Sequence, residues 1–208
     1  VAIVTGGLAG GFVGPYVQSF MHWFGNLINE ATMLRPLPMG IIVGVAVGMA
    51  LTLPISSAAL CIMMDLNGLA AGAAVAGCCA QMVGFAVVSF RENGVGGLLS
   101  QGLGTSMLQI PNIMRRPQIW IAPTVASGLC GAVSAALLGM TNNAAGAGMG
   151  TSGLVGQFGA IASMGASPKT FLLIGLAHFL LPAAAALAVH LLLRRVGWVR
   201  EGDMKLEV

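Results

Sequence analysis

The stretch Gly102–Ser106 reads GLGTS, and the phrase returns as GMGTS at Gly148–Ser152. The chain around both copies is strongly apolar, so a polar, glycine-rich phrase is conspicuous there. Each copy is followed by a glutamine, Gln109 or Gln157, and then by a proline that precedes a long apolar run. Repeated, broken segments of this kind line the solute pathways of many membrane transporters. The twin phrase therefore indicates both the kind of fold to expect and where a site would lie.

Composition places the chain in a membrane. Of its 208 residues, 57% are hydrophobic and 7% are charged, whereas a soluble domain carries roughly 25% charged residues. The stretches without any Asp, Glu, Lys or Arg are residues 1–29, 36–64, 66–90, 117–168 and 170–193. Each is long enough for a membrane-spanning helix, which needs about 20 apolar residues. A soluble all-α protein with a large core is the alternative that this composition disfavours.

The predicted fold class is an all-α polytopic membrane protein with about five transmembrane helices and two re-entrant segments in an inverted repeat. The helices are expected at 2–29, 38–64, 67–90, 118–140 and 169–193. Two remnants, 98–112 and 144–166, are too short or too rich in glycine for a continuous crossing helix. We expect each of them to enter the membrane and return to the same side, covered by protein or water.

The distribution of charge orients these segments. If Arg35 and Arg91 are cytoplasmic and Asp65 is outside, all of the nine Lys and Arg residues except Lys169 fall in the cytoplasm, as the positive-inside rule favours. The C-terminus is then cytoplasmic and the N-terminus is outside. The two copies of the phrase enter from opposite faces in this arrangement, so the repeat is inverted.

Two parts of the chain are distinguished. Residues 1–196 are predicted to form one transmembrane, transporter-like domain, and residues 197–208 a polar cytoplasmic tail. The chain begins at Val1 and has no charged region typical of a signal peptide, so we expect it to lack an N-terminal part of a longer protein. Part of the tail, Leu206–Val208, is interpreted as a linker left by cloning.

Polar groups inside apolar segments are costly and tend to be functional. The two clusters around the repeated phrase are predicted to bind the solute, since glycine leaves the backbone accessible to a ligand. The first cluster contains Gly102, Gly104, Thr105, Ser106, Gln109 and Asn112, and the second contains Asn142, Asn143, Gly148, Gly150, Thr151, Ser152 and Gln157. A local role stays open for each residue, because Ser and Thr bond preceding carbonyls and adjacent Asn residues form turns or helix caps.

Further candidates concern coupling or gating. Pro54 interrupts the second apolar run and is expected to kink its helix, with Ser56 helping to satisfy the freed carbonyls; a kink that serves only packing is the alternative. Gln81 lies within the third run and faces the same choice. Glu92 is either a proton or cation carrier or part of an interfacial ion pair. His178 is either a titrating group in the last helix or a hydrogen-bonded structural one.

Other chemistries find no support. Gly148–Gly153 formally matches the dinucleotide motif, but its context is apolar and the next acid is Glu201, too distant for that role. The four cysteines lie in apolar runs without metal-binding spacing. We expect no catalytic residue, no metal, no cofactor and no nucleic-acid partner. The expected partners are membrane lipid and a small polar solute.

Four stretches resemble a known family. They are Gly77–Phe85 (GCCAQMVGF), Arg91–Gly94 (RENG), Gln101–Asn112 (QGLGTSMLQIPN) and Asn142–Gln157 (NNAAGAGMGTSGLVGQ). They are similar to the bacterial family of phosphotransferase-system IIC-like membrane proteins that includes the perfringolysin regulatory protein, and the resemblance covers roughly residues 10–168. It implies a transporter component of the bacterial cytoplasmic membrane, with a sugar-like substrate, that forms a homodimer.

The family name also implies phosphoryl transfer. That chemistry needs a phosphorylated Cys or His on a soluble domain, and these residues include no such domain. A separate phosphocarrier protein would therefore supply the phosphoryl group, and the chain would at most be the membrane subunit of a sugar phosphotransferase. Three interpretations stay open: a transporter whose pathway lies between the two phrases, a membrane sensor that regulates gene expression without transport, and an ion or solute channel.

Overall fold

The computed structural model describes residues 2–206, with side chains from Gly14 onward, and these residues are almost all helical. In chain order the α-helices are α1 (Ala2–Leu34), α2 (Pro36–Thr52), α3 (Ser57–Met63), α4 (Gly68–Val88), α5 (Phe90–Leu99), α6 (Ile110–Arg115), α7 (Ile121–Ala132), α8 (Ala144–Ala147), α9 (Val155–Met164), α10 (Pro168–Ile174) and α11 (Leu181–Arg195). Ser100–Gly104, Val133–Leu137 and Gly175–Leu180 are π-helical, and Ser106–Gln109, Pro117–Trp120 and Ser152–Leu154 are short 3₁₀ turns.

Three continuous helical stretches of the described chain are long and apolar enough to cross a membrane. They are Gly68–Val88, Pro117–Leu137 and Pro168–Arg195, and the apolar α2 is shorter. The second runs from a 3₁₀ turn through α7 into a π segment, and the third joins α10 and α11 through another. The predicted all-α polytopic membrane fold is confirmed.

Helix α4 is the central element, with nearly all of its residues buried between α2, α7 and α11. Its sequence is rich in Ala, Gly and Cys, and small residues let neighbouring backbones approach where lipid provides no hydrophobic drive for association. Glycines on α2 meet it: a Cβ on Gly48 would stand 2.8 Å from the carbonyl oxygen of Gly77. Ser127 of α7 reinforces the contact by donating its hydroxyl to the same carbonyl at 3.0 Å.

Cross-helix contacts give the helix directions. Cys78 Sγ lies 3.6 Å from the carbonyl of Val47, and further along both helices Thr52 donates to Gln81 at 3.1 Å. Helices α2 and α4 therefore run in the same direction. Helix α7 runs against them, because Ser127 bonds Gly77 whereas the later Ser134 donates to the earlier Gly72 carbonyl at 2.9 Å.

The predicted single helix at 38–64 is wrong. Helix α2 ends at Thr52, and α3 begins only at Ser57 after four residues of irregular backbone. The cause is Pro54, because the residue before a proline is pushed out of the helical region; Leu53 accordingly has ψ 157°.

This break also changes the topology, because α3 turns back toward the starting end of α2. Asn29, near the end of α1, donates to the carbonyl of Asp65 at 3.0 Å and accepts from the N–H of Asn67 at 3.2 Å. Arg35 and Asp65 therefore lie at the same end of the bundle, and their predicted separation to opposite faces is wrong. Lys169, at the start of α10, lies at this end as well, because Leu173 of α10 packs with Met140, whose carbonyl lies against Gly72 near the start of α4. The other basic residues, Arg91, Arg115, Arg116, Arg194, Arg195, Arg200 and Lys205, follow or precede helix ends at the opposite end.

After α4 the chain bends at Gly94, where φ is 60°, and continues as α5. Beyond α11, the tail folds back onto the bundle: Val199 is 3% and Met204 0% exposed, and both join a core cluster with Phe85 and Ile113. Part of the polar tail is thus packed against the helices.

Candidate functional site

The two copies of the repeated phrase touch each other beside α4. The hydroxyl of Thr151 donates to the carbonyl oxygen of Gly102 and also lies 3.5 Å from the sulfur of Met82 on α4. In both copies regular α-helix is broken: the first passes from a π segment into a 3₁₀ turn at Thr105, and the second forms turns around Ser152. Broken backbone from both repeats therefore meets within the bundle.

The copies approach this contact from opposite ends of α4. Beside the first copy, the Gln101 amide donates to Ser89, which follows the last residue of α4, at 2.9 Å. Ahead of the second copy, the N–H of Asn142 donates to the carbonyl of Gly68, the first residue of α4, at 3.2 Å. The membrane-length helices that follow the copies, Pro117–Leu137 and Pro168–Arg195, also run in opposite directions.

Gly150 brings the second copy against α4. Its φ is +56°, and a Cβ there would stand 2.9 Å from the carbonyl carbon of Cys78. Only glycine combines this left-handed backbone with so close an approach. Just before it, the carbonyl of Gly148 accepts from the hydroxyl of Ser57 at 2.6 Å, so the start of α3 fixes the same loop.

The first copy connects to a buried network around Gln81. Ser106 and Thr52 share a hydroxyl–hydroxyl bond of 2.9 Å, and Thr52 donates to Gln81 Oε1. The same oxygen accepts from the indole N–H of Trp120 at 3.0 Å, and the Gln81 amide nitrogen lies 3.3 Å from Ser127 Oγ. Gln81, proposed from the sequence as a gating residue, thus joins α2, α4 and the stretch containing α7.

The side-chain amides of Gln109 and Asn112, which follow the first copy, bind other parts of the chain. Gln109 donates to Gln101 Oε1 at 2.9 Å and accepts from the amide of Asn112 at 2.9 Å. Gln109 also donates to the carbonyl of Met204, and Asn112 to that of Lys205, each at 3.0 Å. In this conformation the polar groups of Gln109 hold the C-terminal tail.

The paired asparagines of the second copy have local partners. Asn143 caps α8 by accepting from the N–H of Gly146 at 2.8 Å. Asn142 accepts from the N–H of Asn143 at 2.8 Å and donates to the carbonyl of Gly156 at 2.9 Å. These bonds match the turn-and-cap alternative that the sequence left open for the pair.

Gln157 and His178 differ from the other candidates. The Gln157 amide nitrogen lies 3.6 Å from Cys79 Sγ and 3.3 Å from His178 Nδ1. Gln157 Oε1 and His178 Nε2 are buried and have no hydrogen-bond partner; among the described side chains, only Gln118 Oε1 shares this condition. A buried polar atom without a partner is unfavourable by about 1–3 kcal/mol. Because His178 lies in a π segment, a feature common at functional sites, the pair is a candidate for ligand contact.

The remaining candidates take no part in the hydrogen bond between the copies. Pro54 and Ser56 are exposed, and Ser56 caps α3 by accepting from the N–H of Ala59 at 3.2 Å. The Glu92 carboxylate accepts from the N–H of Met204 at 2.9 Å. Within the first phrase, Gly104 is exposed and Thr105 caps its own 3₁₀ turn; in the second, Ser152 is half-buried.

Sequence reasoning missed several participants, among them Thr52 and Met204. Thr52 links Ser106 to Gln81, and its only signal was a polar side chain two residues before Pro54. The tail contributes Met204, whose apolar side chain among charged neighbours was the only indication that this segment packs.

Comparison with known proteins gives one match. The family model described as "Phosphotransferase system, EIIC" matches residues 1–206. No curated protein and no solved structure matches the chain. The match includes both copies of the phrase, the central helix and most of the tail.

Proposed function

The chain belongs to the phosphotransferase system EIIC family, whose members are membrane transporter components for sugars, and we propose that its solute pathway runs between the two G-x-G-T-S segments. The solute of this proposal is small and hydroxyl-bearing. The observation that carries it is the hydrogen bond from Thr151 to the carbonyl of Gly102. It joins a hydroxyl and a carbonyl that a polar solute would otherwise use, so this conformation is closed between the copies.

Hydroxyl chemistry also fits the partnerless atoms nearby. Gln157 Oε1 accepts only, and a hydroxyl group donates to it. A hydroxyl also accepts from or donates to His178 Nε2, depending on the tautomer. Solute hydroxyls thus match both atoms, whereas an apolar solute would leave them unsatisfied.

The two copies reach their contact from opposite ends of α4, which supports two re-entrant segments in an inverted repeat. In transporters with such repeats, alternating access proceeds by relative motion of the repeats. All of the nine Lys and Arg residues except Arg35 and Lys169 lie at the end of the bundle that carries the tail. The positive-inside rule therefore supports a cytoplasmic C-terminus. A homodimer, expected from the family resemblance, remains part of the proposal and is checked by native mass spectrometry.

Uptake into proteoliposomes tests the proposed pathway. Radiolabelled D-glucose, N-acetyl-D-glucosamine and D-mannitol serve as probes, with and without phosphocarrier proteins and phosphoenolpyruvate. Thr151→Val removes the donor at nearly constant volume, and Thr151→Ser, which keeps it, is the matched control. We expect Thr151→Val to change the uptake rate by about tenfold, the effect of roughly 1.4 kcal/mol. Thr151→Ser is expected to keep the wild-type rate.

The outcomes separate the alternatives. Uptake that is identical in wild type and Thr151→Val contradicts the assigned pathway. Uptake only with phosphorylated partners identifies the membrane subunit of a phosphotransferase. Binding of a probe without uptake under either condition contradicts transport and favours a sensor.

A further inference from the structure

The segment Val199–Leu206, called the strap below, binds residues on both sides of the first copy of the repeated phrase: Glu92 and Asn93 before it, and Gln109 and Asn112 after it. Its anchor is Met204, which is fully buried against the core cluster that contains Ile113. Val199, at the start of the strap, is buried in the same cluster, and the residues between the two are charged or small, so two apolar side chains and the backbone hold the strap.

Side chains of α5 recognise that backbone. Glu92 accepts from the N–H of Met204 at 2.9 Å. Asn93 donates to the carbonyl of Met204 and accepts from the N–H of Leu206, both at 2.8 Å. With the bonds from Gln109 and Asn112, every one of these contacts addresses peptide groups of the strap.

Ion pairs add little to this attachment. Arg116 and Asp203 lie 3.8 Å apart, and Arg194 and Glu201 3.2 Å apart, with Arg116 and Glu201 largely exposed. Exposed pairs of this kind contribute little stability. The strap is therefore held mainly by Val199, by Met204 and by polar groups that a competing ligand could also bind.

A cavity of about 620 Å³ adjoins the strap. Its lining includes Glu92, Asn93 and Ser100 from the helical segment before the first phrase, and Leu206 from the strap. Two of the groups that bind the strap therefore also line the cavity. A carboxylate and an amide together accept from and donate to neighbouring hydroxyls.

We propose that this cavity is a vestibule that binds a hydroxyl-bearing solute and that the strap is its latch. The strap occupies Glu92 and Asn93 with its own peptide groups, so solute and strap compete for the same polar atoms. Release of the strap frees these atoms. The class of ligand rests on the proposed transport function, whereas the latch rests on the contacts of the strap alone.

Cysteine accessibility in the full chain tests the latch. All four native cysteines are buried, so Ser100→Cys supplies the reactive thiol, and a membrane-impermeant maleimide measures its exposure. Met204→Asp places a charge at the buried anchor and is expected to raise the labelling rate at least about tenfold. Met114→Asp, at a methionine that is 80% exposed, is the matched control and is expected to leave the rate unchanged.

A second variant guards against misfolding. Asn93→Asp keeps the acceptor for Leu206 but loses the donor to Met204, and it should raise labelling while the native cysteines stay unreactive. Ser100→Cys is labelled alone, together with Met204→Asp and together with Asn93→Asp. Equal labelling rates in these three proteins, with the native cysteines unreactive in each, would overturn the latch.

Protection by solute tests the vestibule. D-glucose and D-mannitol are added separately to Ser100→Cys protein carrying Met204→Asp, and we expect at least one to slow labelling more than in protein with the native strap. Absence of protection by both overturns the vestibule. Labelling of Ser100→Cys does not depend on uptake. A failure of the latch or of the vestibule is therefore distinguishable from a failure of the proposed pathway, which the Thr151 uptake experiment tests.

Discussion

The hydroxyl of Thr151 is hydrogen-bonded to the carbonyl oxygen of Gly102, so each copy of a duplicated phrase contributes one partner to a single contact. The donor comes from a hydroxyl of the second copy and the acceptor from a glycine of the first. While the bond holds, the hydroxyl hydrogen of Thr151 is not available to another acceptor. In the proposed pathway, the relative position of the two copies decides whether this hydroxyl donates to Gly102 or to a solute.

Replacement of Gly150 by alanine is expected to destabilise the fold more than replacement of Gly153. Both residues have positive φ, +56° and +53°, which is unfavourable by about 1–2 kcal/mol for alanine. At Gly150 the new methyl group would also meet the backbone of Cys78, adding about 1–3 kcal/mol, whereas the closest atom at Gly153 is a side-chain carbon at 3.9 Å. Thermal unfolding in detergent measures the difference, and equal losses would contradict the close approach to α4.

Gln81→Leu is expected to destabilise the protein by about 2–4 kcal/mol, because buried donors lose the acceptor Gln81 Oε1 and buried acceptors lose the Gln81 amide donor. Trp120 and Thr52 would be left without their bonds to Gln81 Oε1. Gln118→Leu is the control, since Gln118 Oε1 has no partner to lose. Comparison of unfolding midpoints checks the prediction; a control as damaging as Gln81→Leu would show that the network is not the cause.

Gln157→Leu is expected to lower uptake about tenfold while leaving thermal stability nearly unchanged. The variant removes a buried acceptor that lacks a partner, together with one weak contact to Cys79 and one to His178. A lost solute hydrogen bond of about 1.4 kcal/mol corresponds to a tenfold change. Gln109→Leu is the comparison for stability: it is expected to lower the unfolding midpoint, since its amide holds Gln101 and the strap. A large loss of stability without loss of specific uptake in Gln157→Leu would make Gln157 structural.

Much of the architecture followed from local sequence signals, and the rest depended on tertiary contacts. Composition predicted the all-α membrane fold, and the resemblance of four stretches predicted the family; both are confirmed. The third apolar run corresponds closely to α4. The direction of α2 was not predictable, because a helix that is apolar on all sides has no periodicity to reveal its neighbours. Whether the second apolar run crosses the membrane as one helix depended on the residues after Pro54. These form the seven-residue α3, which spans only about 10 Å and is too short to complete a crossing.

The candidate site divided in a similar way. The sequence singled out Thr151, Gln157 and His178 by residue type, but it carried no signal for which partners each would find. Packing of the tail was hidden because its bonds involve backbone groups of Met204 and Lys205, which leave no pattern in the sequence.

The corrected topology predicts that Arg35 and Lys169 face one side of the membrane and Arg116 the other. Single cysteines at these positions, in oriented vesicles, should therefore react with an impermeant maleimide in two groups. The physical reason is the parallel course of α2 and α4, which brings Arg35 back to the end that holds Asp65. If Arg35→Cys reacted together with Arg116→Cys, the second apolar run would cross the membrane as one unit and the turn at Pro54 would be excluded. If Arg116→Cys reacted together with Lys169→Cys, the opposite orientation of the two repeats would be refuted instead.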